Sequence, residues 1–129
     1  MSAWGLEPFE NDEAEDWLAE LSDWSSVRGA LAKVVEAAPE EERDLTDCFV
    51  GLAAAEVVAA ALGRPGAIPD EAADWVDAHR DGCTEQLRAL AVACASQIES
   101  KSELQDLWDG DLSEEWHALM KDLIRRLSA

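Results

Sequence analysis

The sequence has no tyrosine, only two histidines and few bases. No lysine or arginine precedes Arg28, whereas Glu7, Glu10, Asp12, Glu13, Glu15, Asp16, Glu20 and Asp23 all do. Across the chain, 10 basic residues stand against 29 acidic ones, a formal net charge of −19. A field of that sign repels phosphate backbones and anionic headgroups, which argues against nucleic acid and membrane surfaces as partners. The adjacent pair Arg125-Arg126 is too small to reverse it. Cysteine is scarce and widely spaced, at Cys48, Cys83 and Cys94. There is no CxxC and no paired-histidine motif, which argues against a disulfide framework or a structural zinc site. No apolar run is long enough to span a bilayer, since the one from Ala53 to Leu62 is too short. The N-terminus lacks the basic region and apolar stretch of a secretory leader, so the cytoplasm is the expected compartment. A Gly-rich phosphate loop, a nucleophile elbow and a Ser–His–Asp order are also missing.

What is present is alanine, leucine and tryptophan in helical spacing. Hydrophobic residues make up 48% of the 129 positions and charged residues 30%, a globular balance rather than a disordered one. That length suits one domain over residues 1–129, large enough to fold without a metal or disulfide. The alanine excess favours helix, and no segment alternates as a strand would.

The expected fold class is all-α: a single compact bundle of six or seven helices around a central Ala-rich helix. Helix one is expected from Asp12 to Leu21, capped by Asn11 or Asp12, with Ala14, Trp17, Leu18 and Leu21 on one face. A second starts after Ser25 or Ser26 and stops before Pro39. A third runs from Thr46 to Leu62 and closes at Gly63. Its only charged side chain after Cys48 is Glu56, and an all-round apolar helix belongs at the centre of a domain. A fourth, from Pro69 to Arg80, carries Ala72, Trp75, Val76 and His79. A fifth runs from Thr84 to Glu99. Ser102 with Gln105, and Asp111 with Glu114, read as capping boxes for two more. The last aligns Leu112, Trp116, Leu119, Leu123 and Leu127.

The aromatic arm Trp4-Gly5-Leu6-Glu7-Pro8-Phe9 leads straight into helix one. Termini fray unless tied down, and two large aromatics in nine residues predict an arm packed on the domain. The string Trp4, Gly5, Phe9, Asn11, Asp12, Ala14 and Asp16, followed by Trp17, resembles the opening of a bacterial family, domain of unknown function 4259. Ala53 to Ala60, Ser102 to Leu104 and Leu107-Trp108 also look similar, so the likeness covers most of the chain. Members often carry a second glycine where this chain has Glu7. The resemblance implies a helical bacterial cytosolic protein and brings no catalytic residues with it.

Glu56 shares a helical face with Phe49, Leu52, Ala53 and Ala60 and is expected to be buried. A buried carboxylate needs partners, such as an indole N–H or backbone N–H groups of the arm; otherwise it is a candidate general acid, base or metal ligand. Asp12 and Asp16, one turn apart, combine capping with a weak potential to hold a divalent cation. His79, one turn after Trp75, is a weaker catalytic candidate than a stacking residue. His117 is expected to face solvent. Trp17, Trp75 and Trp116 fit core faces, while Trp4, Trp24 and Trp108 sit at helix ends.

Three functional readings follow. The first is a non-enzymatic interaction or regulatory protein that docks a basic protein partner through its acidic surface, without a cofactor. The alternative is a carboxylate-based metal-binding domain or enzyme centred on Glu56 with Asp12, Asp16 and His79. A mimic of DNA, with carboxylates imitating phosphates, is a third reading of the same charge. Nothing in the pattern fixes an oligomeric state.

Overall fold

Most of the helices start where a short polar side chain accepts an otherwise unpaired N–H, while the one opened by Pro69 has no such cap. The computed structural model describes residues 6–37, 44–100, 102–108, 110 and 112–128. Among these, seven α-helices form and no strand does. They are α1 (Asp12–Ala19), α2 (Trp24–Val35), α3 (Leu45–Ala61), α4 (Asp70–His79), α5 (Glu85–Ser100), α6 (Glu103–Leu107) and α7 (Ser113–Ser128), with a 3₁₀ turn at Arg80–Gly82 after α4.

Asn11 caps α1: its side-chain oxygen accepts the Ala14 N–H at 2.7 Å, and its amide donates to the Pro8 carbonyl at 3.1 Å. One buried side chain thus closes the arm onto the helix start. α1 stops before Leu21, because Glu20 and Leu21 turn back onto the Trp17 and Leu18 carbonyls in i→i−3 bonds. α2 begins earlier than the serines suggested. Asp23 is its cap and accepts the Ser25 N–H at 2.9 Å. Asp44 caps α3, Ser102 caps α6, and Asp111 lies outside the described residues.

α3 sits at the centre. It contacts α1, α2, α4, α5, α6 and α7, and every residue from Gly51 to Ala61 is buried. Its small side chains let neighbours approach closely. At Gly51 an added Cβ would lie 2.9 Å from Val34 Cγ2 and 3.0 Å from Cys94 Sγ, so this glycine seats α2 and α5 against α3. α3 ends in a Schellman turn, with Gly63 at φ +83° donating to Ala60 and Arg64 donating to Ala59.

α7 differs from its expected stripe. Its buried residues are Trp116, Met120, Leu123 and Leu127, whereas Leu119 is half-buried and Leu112 is 40% exposed. Leu112 precedes the helix, so it falls outside the 3.6-residue register of the others. None of the three cysteines forms a disulfide, and burial pushes the Cys48 thiol up to about 12. No helix among the described residues is long and apolar enough to cross a membrane.

Candidate functional site

The one ionisable side chain in the middle of α3 has to find a counter-charge, and α7 delivers it. Glu56 is met end-on by Arg126, whose Nη1 and Nη2 donate to Oε1 and Oε2 at 2.9 Å each. The glutamate side chain is 3% exposed and the arginine 13%. Two parallel N–H···O bonds match the guanidinium fork to the carboxylate. Two of the three remaining guanidinium N–H groups are also used. Nε donates to Asp122 Oδ2 at 2.8 Å, and Nη1 also reaches the Arg64 carbonyl at 3.1 Å. Arg64 in turn donates to the Arg126 carbonyl at 3.1 Å, tying the loop after α3 to the end of α7.

The N-terminal arm lies across this pair. A cavity of about 110 Å³ separates Leu6, Glu7 and Pro8 from Glu56, Asp122 and Arg126. Gly66 closes its side: a Cβ there would stand 2.9 Å from both Arg126 Nη2 and Glu56 Oε1. The Glu7 carboxyl is raised above its ordinary value by burial first, then by the nearby charges of Glu56 and Glu10. Arg126 is raised, chiefly by its bonds to Glu56. Asp122 is held below its ordinary value, chiefly by its bond from Arg126.

The sequence candidates are distributed around the molecule. Asp12 and Asp16 are exposed on α1. Neither they nor His79 lines the cavity beside Glu56. His79 sits at the exposed end of α4, its ring stacked on Trp75 at a centroid distance of 4.3 Å and its Nδ1 2.8 Å from the Trp75 carbonyl. Among the described residues, no group of three or more His, Cys, Asp or Glu side chains is arranged to hold a metal ion. Of the N-terminal motif, Phe9 and Asn11 are buried and Trp17 is half-buried, while Trp4 and Gly5 lie outside the described residues. His117 does not face solvent as expected. α7 packs on α5, which brings its Nδ1 to 3.1 Å from Glu99 Oε2.

Two contributors escaped the sequence reading. The sequence marks Arg126 as half of a basic pair suited to a helix end, yet it also follows buried Leu123 by three residues and so sits beside the apolar stripe of α7. A base on one apolar stripe and a lone acid on another are a pair waiting to be matched. Trp24 is the other. Its indole packs edge-on against Trp75 at 5.0 Å and donates to the His79 carbonyl at 2.6 Å, so it anchors the end of α4.

A family model, Domain of unknown function (DUF4259), matches residues 2–118. The chain belongs to this family. The DUF4259 match takes in the arm, Glu56 and most of the bundle and ends within α7, before Arg126. No curated protein and no solved structure matches this DUF4259 chain at a significant level.

Proposed function

We propose that this DUF4259 domain is a non-enzymatic interaction or regulatory protein that presents the acidic face of α1 to a basic protein partner. One observation carries the reading. Asp12, Glu15, Asp16 and Glu20 are exposed, and no cation of the described residues pairs with any of them. The described cations are largely engaged elsewhere: Lys33 with Asp47, Arg80 with Asp77, Arg88 with Glu85, Arg125 with Asp122, Arg126 with Glu56. With no basic residue before Arg28, the acids of α1 form a stretch of uniform negative sign that can steer a basic partner. Glu56 supports the same reading, because both its oxygens are occupied by Arg126 N–H groups and neither is offered to a substrate. Three cysteines outside any disulfide suit a reducing compartment, in keeping with a cytoplasmic setting.

The test is affinity capture from a lysate of the source cells at low and high salt, using the wild type and a triple variant Asp12→Asn, Asp16→Asn, Glu20→Gln. One selected partner should be retained at low salt, released at high salt and lost by the variant. Equal retention of generic basic proteins by both forms overturns the reading. Tight divalent-metal binding that depends on Asp12 and Asp16 replaces it with the carboxylate alternative.

A further inference from the structure

One groove lies away from both the acidic face and the Glu56–Arg126 pair. It has a volume of about 490 Å³ and runs between the start of α2 and the start of α5. Its walls are Trp24, Leu87 and Leu90, with Arg28 and Thr84 as polar groups. That volume is in the range of small-molecule pockets, and an apolar lining with a few polar groups is their usual make-up.

Arg28 is the unexpected member. Carboxylates outnumber bases almost three to one in this chain, 29 against 10, yet no carboxylate of the described residues forms an ion pair with Arg28. Its neighbour in the groove wall is equally deliberate. Trp24 is pinned by its bond to the His79 carbonyl and by its edge-on contact with Trp75. Gly82 lies so close to its indole edge that a Cβ there would overlap it. A tryptophan held this way is a preformed wall, and a ligand meeting it does not have to order it.

We infer that this groove binds a small organic anion with an aromatic or apolar body, its carboxylate or sulfonate on Arg28 and its body against Trp24, Leu87 and Leu90. Charge complementarity selects the class. In a molecule of net charge −19, an anion is repelled everywhere that a local cation does not receive it. A guanidinium with no acidic partner among the described residues, in the same groove as an indole, offers both a charged hydrogen bond and a stacking surface.

The experiment uses the full chain and two fluorescent probes that differ in charge. One is 1-anilinonaphthalene-8-sulfonate, the other its neutral analogue N-phenyl-1-naphthylamine. The sulfonate should bind at one site per chain. Arg28→Gln should weaken it about fivefold, the factor expected of an exposed charge pair, and leave the neutral probe unchanged. Ser25→Trp, an exposed position on the groove, should block both probes. Near-ultraviolet circular dichroism of each variant checks that the fold is kept. Equal binding of the sulfonate by wild type and Arg28→Gln overturns the proposal, as does probe binding that survives Ser25→Trp. So does a dimer in sedimentation velocity that Ser25→Trp dissociates, because a second copy then covers the groove.

Discussion

Arg126 meets Glu56 with two bonds of 2.9 Å in a setting where water is scarce, so each side chain depends on the other. Removing one partner strands a buried charge, which costs about 3–5 kcal/mol in such pairs. Arg126→Met should fall at the upper end, about 5 kcal/mol, because the Glu56 carboxylate it strands is the more buried partner. The double variant Glu56→Leu, Arg126→Met should recover much of that loss. Urea unfolding of the two single variants and the double checks this, and additive losses would refute it. Glu7 sits above the pair with its carboxyl raised from 4.5 by burial and by the charges of Glu56 and Glu10. A carboxyl raised on folding binds its proton more tightly in the folded state. The stability it lends is complete below 4.5 and is lost as pH rises through its folded value. Asp122 is lowered from 3.8 and has the opposite sign, lending stability that disappears as pH falls below 3.8. Glu7→Gln should therefore raise the urea midpoint at neutral pH, and the gain should vanish when the pH is taken below 4.5. A gain that persists at acid pH would place the cause elsewhere.

Among the helices, α3 shows how one apolar element imposes requirements on its neighbours. Two glycines in the bundle give opposite expectations. Gly29 lies on the exposed side of α2, with nothing within 4 Å of an added Cβ. Gly29→Ala should stabilise the protein by about 0.5–1 kcal/mol through helix propensity alone. Gly51→Ala gains the same propensity, but its Cβ must displace Val34 Cγ2 and Cys94 Sγ. Overpacking of a tight helix contact costs about 1–3 kcal/mol, so the net change should be a loss. Thermal unfolding of the two variants side by side decides this, and two equal gains would show that α2 and α5 yield easily. The arm is an element of the same kind, held by buried Phe9 and Asn11. Phe9→Ala should cost about 3 kcal/mol, and an unchanged melting temperature would show that the arm is not part of the core.

Across the whole molecule, charge opposes folding. A net −19 on 129 residues repels itself, and the exposed acids of α1 have few bases near them to offset the cost. Raising salt from about 0.1 M to about 1 M shortens the Debye length from about 10 Å to about 3 Å. The buried Glu56–Arg126 pair is screened little over that range, whereas the surface repulsion is screened strongly. The melting temperature should rise with salt. A fall would mean that surface ion pairs such as Arg88–Glu85 and Arg80–Asp77 outweigh the repulsion.

The sequence by itself determined the helices, their approximate ends and the central place of α3. Those features depend on local preference and on an apolar pattern that repeats within one helix. Asn11, Gly63 and the uncharged run around Glu56 could all be read because each acts on its own neighbours. The burial of Glu56 and Phe9 could be read for the same reason. The partner of Glu56 could not, since Arg126 is 70 residues away and reaches it only once α7 has docked on α3 and α5. Likewise Trp24 finds the His79 carbonyl 55 residues on, and His117 finds Glu99 from a neighbouring helix. The start of α2 is ambiguous in the sequence because Asp23, Ser25 and Ser26, three polar residues within four positions, can each cap a helix; the folded backbone uses Asp23. Tertiary structure decided which charges meet, because a salt bridge depends on distance in space, and helical periodicity carries no information about distance between helices.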